Sequence, residues 1–357
     1  MNRENMSVFD HPEFNNHEHV AFYHDEKAGL SAIIAVHNTN LGPALGGCRM
    51  WPYVNSSEAL TDVLRLSKGM TYKAAMANLE LGGGKSVIIG DPRKAKTPEM
   101  MKAMGKFVES LGGKYFTAED SGISVTDLQT MATESDYIAG VHAKYHYAGE
   151  VPDGNPAPSA AYGVFVGLKA TVEYGLKRSL DGVSVAIQGM GHVGYRLAKH
   201  LHEHGAKLYV ADIYPEGVEK AVSEFGATAV APEEILSLDV DVLAPCALGA
   251  AINDLSLPEI KAKVIAGAAN NQLAREDIGE LLQQRGILYA PDYVINAGGV
   301  IDIFHQRMES SSNEALRAHI EQIGETLKEI YTRAEQEGAA TNRVANLIAE
   351  ERFSLKG

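Results

Sequence analysis

The sequence predicts a two-domain α/β protein whose C-terminal half is a doubly wound parallel sheet. Three observations carry this expectation. The chain has 357 residues, too many for one ordinary core and close to two domains of about 100–200 residues each. Beyond about residue 180, short apolar runs alternate with helical segments, the mark of βαβ units. Within that alternation Gly189, Gly191 and Gly194 form G-x-G-x-x-G between a strand and a helix.

In order along the chain, residues 19–23 and 30–36 read as two β runs joined by a polar Asp-Glu-Lys-Ala-Gly turn, hence a hairpin. Ser56 or Ser57 is expected to cap a helix with Leu60, Val63, Leu64 and Met70 as apolar positions. Gly82, Gly83 and Gly84 read as a loop presenting Lys85 ahead of a strand at 86–89. Thr97-Pro98-Glu99 opens another helix, with proline in its first turn. The glycine- and proline-bearing stretch 140–158 reads as a domain junction or mobile loop. Strands are expected at 183–187, 208–212, 240–244 and 264–266. Leu316, Ile320, Ile323, Leu327, Ile330 and Ala334 recur at helical steps and mark a long amphipathic helix.

Composition excludes several functions. A formal net charge of −14 argues against a nucleic-acid partner, which calls for a clustered basic face. No apolar run approaches eighteen residues, and the start carries no apolar segment of the secretory kind. Cys48 and Cys246 lie far apart and outside C-x-x-C spacing, which suits a reducing compartment, so a cytoplasmic protein is expected. His142 with His146, and His200, His202 and His204, have spacings a metal can use. No cysteine or carboxylate completes either set; they read as solvated histidines, and no metal is expected.

The run Gly189-Met190-Gly191-His192-Val193-Gly194 is followed by a second strand ending in Asp212, 23 positions after Gly189. In such a Rossmann unit the first glycine makes the tight turn, the second admits a pyrophosphate and the third lets helix and strand pack closely. The helix terminus then faces the phosphates. Asp212 would accept from a ribose diol and repel a 2′-phosphate, which favours NAD over NADP. Gly84-Lys85-Ser86 is not a P-loop: the first glycine would have to be residue 79, which is Leu79, and the glycines precede a strand rather than follow one.

Lys73 and Lys85 stand twelve residues apart, and Asp120 lies in "FTAEDSG". Lysines and aspartates usually decorate surfaces. Chemically, one lysine suits a substrate carboxylate. A second, desolvated and repelled by the first, would titrate nearer neutrality and serve as a general base. Glycines beside it would let substrate approach closely.

These residues carry a resemblance. "LGPALGGCRMW" (41–51), "GMTYKAAMANLELGGGKSVIIGDP" (69–92), "AED" (118–120), "GMGHVG", "APCALGA" (244–250), "GAANNQL" (267–273) and "PDYVINAGGVI" (291–301) resemble the amino acid dehydrogenases, with the nearest likeness to the leucine, phenylalanine and valine enzymes. The resemblance runs from about residue 20 onward. It implies a substrate and oligomerisation domain over 1–145, joined by C-terminal helices from about 330 to 357, and an NAD-binding domain over 146–329, with a cleft between them. It implies Lys85 as general base through water, Lys73 with the Gly46–Gly47 backbone on the substrate carboxylate, and Asp120 on the α-amino group as proton relay. Asn270 and Asn271 would line the nicotinamide side. The implied reaction is reversible oxidative deamination of an L-amino acid to its 2-oxo acid and ammonia, in a homo-oligomer.

Leu45 stands where glutamate dehydrogenases place a lysine for the distal carboxylate, so glutamate is disfavoured. By the same resemblance Met70, Ala118, Val300 and Ile303 complete an aliphatic wall, which favours a branched aliphatic side chain, with an aromatic one as the alternative. Ala160 departs from a threonine common in relatives, and the neighbouring Ser159 is expected to point elsewhere. A catalytically dead NAD sensor is the remaining alternative, and it has no need of the three charged residues.

Overall fold

The computed structural model describes residues 7–141, 155–247, 249–308 and 310–354. The chain divides into two compact units, Met1–Lys144 with Glu350–Gly357, and Tyr145–Ala349. The expected limit at 145/146, and most of the expected junction around it, lie outside the described residues.

In the first unit, β1 (His19–Asp25), β2 (Leu30–Asn38), β3 (Ala44–Trp51), α1 (Ser56–Met76), β4 (Gly82–Ile89), α2 (Pro98–Glu109), β5 (Tyr115–Ala118) and α3 (Val125–Met131) follow in order. The sheet runs β1-β2-β4-β3-β5. The hairpin is antiparallel, β2 also meets β4 antiparallel, and β3 lies parallel to both β4 and β5. Period-two alternation along β2 sorts its side chains. Ile33 and Ala35 pack with Val63 and Leu64 of α1, whereas Ala32, Ile34 and Val36 join the core that includes Met100, Met104 and Phe107 of α2 and Leu128 of α3. The cap of α1 is Asn55, whose side chain accepts from the Glu58 N–H; Ser56 and Ser57 are already helical. Thr97 caps α2 with Pro98 behind it.

The C-terminal end of α1 is closed by residues distant in sequence. Arg352 donates to the carbonyls of Ala75 and Met76 at 3.2 and 3.3 Å. Tyr72 donates to Glu350 at 2.6 Å. A cation on these orphan carbonyls also complements the helix dipole.

A buried histidine pair ties the N-terminal segment to α1. His37 hydrogen-bonds Thr71 at 2.8 Å and Asn15 at 3.3 Å. His17 meets the Leu64 carbonyl at 3.0 Å and Ser67 at 3.1 Å. Burial, then the charges of His17 and Lys68, hold His37 down to about 3 from 6.5; burial also lowers His17. Below pH 6.5 the unfolded chain therefore binds protons that the folded chain refuses, and stability rises with pH in that window. The contribution of His37 is intact above pH 6.5 and is lost as pH falls toward 3, by about 1.4 kcal/mol per pH unit. Thermal unfolding across this range is expected to show a flatter pH dependence in His37→Asn; identical slopes would refute the assignment.

The second unit contains α4 (Ala157–Leu176), β6 (Ser184–Gln188), α5 (His192–Glu203), β7 (Lys207–Ala211), α6 (Pro215–Phe225), β8 (Thr228–Ala229), β9 (Val242–Pro245), β10 (Val264–Ile265), α7 (Ile278–Gln284), β11 (Leu288–Tyr289), α8 (Asp292–Ile295), α9 (Gly298–Gln306), α10 (Asn313–Glu337) and the part of α11 (Thr341–Ser354) before Glu350. Its sheet is parallel throughout, in the order β11-β10-β9-β6-β7-β8. The strand order reverses at β6, so the crevice beyond the carboxyl ends of β6 and β9 is the switch point where such sheets bind ligands. The return of the C-terminus to the first unit begins at Glu350 rather than near 330. The stripe of Leu316, Ile320, Ile323, Leu327 and Ile330 on α10 is buried, and the helix packs on α4 and α9 of the second unit.

Candidate active site

The glycines before Lys85 are strand, not loop: β4 begins at Gly82. Nor do they make room for a substrate. A Cβ on Gly83 would lie 2.0 Å from the Thr71 nitrogen, and one on Gly84 would lie 2.6 Å from the Tyr115 ring. A Cβ on Gly46 would fall 1.7 Å from the Gly84 carbonyl oxygen. Side chains are absent at 82–84 because Asn38 of β2, Thr71 of α1 and the Tyr115 ring already occupy the space, and at Gly46 because β4 does. The β3–β4 register is matched at Leu45–Gly83 and at Cys48–Ser86. Between these pairs the buried Tyr115 hydroxyl donates to the Gly46 carbonyl at 2.7 Å. That bond fixes the Gly46–Gly47 peptide, and with it the direction of the Gly47 N–H.

Lys85 is 6% exposed, and its Nζ lies 3.0 Å from Asp120 Oδ2. The charge in contact with Lys85 is thus the Asp120 carboxylate, a neighbour beyond the Lys73 cation expected from the sequence. Asp120 follows β5 and stands beside Gly47, where a Cβ would come within 2.7 Å of the Asp120 Cβ. Burial works to raise the Asp120 carboxyl, but the charges and hydrogen bonds of Lys85 and Arg49 outweigh it and hold the group below its ordinary value. Arg49 was not singled out from the sequence. The available signal was its place in β3 two residues past Gly47, which puts both on one face of the strand.

Lys73 and Met70 sit in the half-buried part of α1, in the turn that Thr71 presses against Gly83 of β4. Leu45 and Ala118 are buried in β3 and β5. Gly46, Gly47, Lys85, Asp120, Leu45 and Ala118 thus gather around adjoining strands of one sheet, with Met70 and Lys73 on the helix covering it.

In the second unit the glycine loop fits a dinucleotide. Gly189 has φ +99°, and a Cβ on Gly194 would lie 2.0 Å from the Gly189 carbonyl oxygen, so only glycine lets the helix approach the strand. A Cβ on Gly191 would meet nothing within 4 Å. The α5 N-terminus carries no side-chain cap, which leaves its N–H groups for an anion. Met190 is buried, Val193 half-buried and His192 exposed at the start of α5. Asp212, just past β7, accepts from the N–H of Met190 at 2.6 Å and of Tyr214 at 2.9 Å. Asn270 and Asn271 are exposed. Asn270 accepts from Asn296 at 2.7 Å, and the Oδ1 of Asn296 is buried with no partner among the described residues. Asn296 is a second residue that the sequence did not single out.

Val300 and Ile303 lie on α9, where Val300 is 7% exposed. Ser159 turns away from Ala160 and donates to the buried Asp302. Burial raises the Asp302 carboxyl against the hydrogen bonds of Ser159 and Gln306. His200 and His204 pack against Phe165. Among the described residues no three His, Cys, Asp or Glu side chains gather to hold a metal ion; His142 and His146 lie outside them.

The family model for the Glu/Leu/Phe/Val dehydrogenase dimerisation domain matches residues 17–141, and that for Glutamate/Leucine/Phenylalanine/Valine dehydrogenase matches 209–353. The chain is 47% identical to a leucine dehydrogenase of Bacillus cereus, over 98% of this chain and 95% of that one. It is 45% identical to a phenylalanine dehydrogenase of Bacillus thermotolerans, over 99% and 92%. The solved L-tryptophan dehydrogenase of Nostoc punctiforme superposes with a TM-score of 0.83 at 44% identity, over 96% of this chain and 97% of that one. With both halves matched and the likeness running nearly end to end, the chain belongs to the Glu/Leu/Phe/Val dehydrogenase family, oxidoreductases that act on amino acids.

Proposed function

We propose that the protein catalyses NAD-dependent, reversible oxidative deamination of a branched aliphatic L-amino acid to its 2-oxo acid and ammonia. The observation that carries the chemistry is the buried Lys85–Asp120 contact of 3.0 Å beside the Gly46–Gly47 peptide. Lys73 and the Gly47 N–H hold the substrate carboxylate, and Asp120 receives the α-amino group. The bound dinucleotide supplies the hydride acceptor, held by the 189–194 loop, Asp212, Asn270 and Asn271. Once Cα has lost its hydride to that acceptor and the α-amino group a proton to Asp120, Lys85 takes a proton from the water that attacks the resulting imine carbon. As the carbinolamine C–N bond breaks, ammonia leaves with a proton relayed through Asp120.

The aliphatic assignment rests on Leu45, 2% exposed in β3, with Met70 and Ala118 in the same unit and Val300 and Ile303 on α9. A distal carboxylate beside Leu45 would be buried unpaired, a cost of several kcal/mol. Aromatic substrates are the second reading, favoured by near-equal identity to a phenylalanine enzyme. An assay of NADH formation over a panel of L-amino acids decides between them: highest kcat/KM is expected for leucine, valine or isoleucine, and a maximum at phenylalanine or tryptophan would overturn the aliphatic assignment.

Asp212→Ala is expected to lower the NAD-over-NADP ratio of kcat/KM by on the order of tenfold or more, the worth of a hydrogen bond to a charged group. An unchanged ratio would refute the ribose contact. Assembly as a homo-oligomer through the first unit is part of the proposal, supported by the match of 17–141 to a dimerisation domain. So is a cytoplasmic location, supported by the unpaired Cys48 and Cys246. No described helix is long and apolar enough to cross a membrane.

A further inference from the structure

We infer that Arg49 is the positioning residue that holds Asp120 in place while Lys85 exchanges its proton, with Asp62 anchoring Arg49 from behind. The inference rests on the proposed roles of Lys85 and Asp120 and deepens them. Arg49 Nε donates to Asp120 Oδ2 at 2.8 Å, the same oxygen that Lys85 meets at 3.0 Å. Its guanidinium also donates to Asp62 Oδ2 at 2.9 Å. Asp62 is held in turn by the Tyr53 hydroxyl at 2.6 Å and by Arg65 at 3.0 Å. The chain of contacts runs from the buried Lys85 outward, and each member is locked by the next.

Two cations therefore share one carboxylate oxygen, and among the described residues Asp120 Oδ1 carries no hydrogen-bond donor. The two cations are not equivalent. Guanidinium stays charged at every working pH, whereas an ammonium can give up its proton. When Lys85 is neutral its grip on Asp120 weakens, but that of Arg49 does not. A fixed Oδ2 then leaves Oδ1 aimed at the incoming amine throughout the cycle. The other titratable groups near Asp120 are Cys48 and Tyr115 beneath it and Tyr53 and Asp62 beyond Arg49. Burial keeps the Cys48 thiol and the Tyr115 and Tyr53 hydroxyls protonated, and Asp62 is a carboxylate held low, against burial, by Tyr53, Arg49 and Arg65, so Arg49 is the permanent positive charge in the group.

The test compares Arg49→Ala, Arg49→Lys and Asp62→Asn in the full-length enzyme by amino acid oxidation, pH profile, NADH titration and thermal unfolding. Arg49→Ala is expected to lower kcat about 100-fold, the cost of a displacement near 1 Å at a reacting group, with NADH affinity unchanged. Its acidic limb of kcat/KM should move to higher pH, since removing a fixed cation makes neighbouring protons harder to lose. Arg49→Lys should recover part of kcat by restoring one contact to Asp120, and Asp62→Asn should cost less than Arg49→Ala. A folded Arg49→Ala with unchanged kcat and pH profile overturns the inference. So does a loss in which the limb stays put and lysine restores nothing, which would mark a purely structural arginine. Should Arg49→Ala fail to fold, Arg49→Gln, which keeps most of the bulk and none of the charge, carries the test: it must fold, lose most of kcat and shift the limb. Normal turnover in Lys85→Ala would instead sink the underlying reading of the site.

Discussion

Lys85→Ala is expected to lower kcat for amino acid oxidation by about 10²–10⁴-fold, the usual contribution of a positioned acid–base group, while NADH binds as before. Lys85 lies on β4 in the first unit and the glycine loop in the second, so the substitution removes the proposed base and leaves the proposed nucleotide contacts unaltered. It also removes one of the two cations on Asp120 Oδ2. Asp120 then keeps only Arg49, and its carboxyl rises toward its ordinary value. Steady-state rates with a fluorescence titration of NADH check both halves of the expectation. Turnover close to that of the unaltered enzyme would remove Lys85 from the mechanism.

The second large effect is on folding. Gly46→Ala would place its Cβ 1.7 Å from the Gly84 carbonyl oxygen and 2.7 Å from the carbon behind it. Both are backbone atoms of the neighbouring strand, so nothing can swing aside. The strands must part, and with them the Tyr115 bond to Gly46. The cost is expected to exceed about 3 kcal/mol, beyond the usual range for an overpacked site. Soluble yield and the thermal transition of the first unit measure it. Gly191→Ala is the control: its Cβ meets no protein atom within 4 Å, so it should fold normally and raise KM for NAD. A Gly46→Ala protein that melts and turns over like the unaltered one would disprove the close approach.

The nucleotide half was legible because each of its signals is local. Strand, glycine turn, helix and a terminal Asp212 follow one another within one βαβ unit, and the physical demands on Gly189 and Gly194 repeat in any such unit. The glycine run at 82–84 was misread for the opposite reason. Its sequence says that side chains are missing but not what fills the gap, and the filling atoms come from Thr71, Tyr115 and Asn38. Arg49 was overlooked on similar grounds, since its partners Asp62 and Asp120 lie 13 and 71 residues away. Nothing in one sequence ties Asn296 to Asn270, 26 residues before it. The cap at Asn55 was a smaller miss, one step from two serines that are themselves good caps.

The closure of α1 by Tyr72–Glu350 and Arg352 has a consequence for biosynthesis. The helix that carries Lys73 leaves the ribosome early, yet the guanidinium that seals its last carbonyls is translated more than 270 residues later. The nascent N-terminal portion therefore waits with an unfinished helix terminus until translation reaches Glu350 and Arg352. Chains released before that point would retain α1 and its Lys73 but lack the final clasp, and they should be the ones that chaperones and proteases intercept.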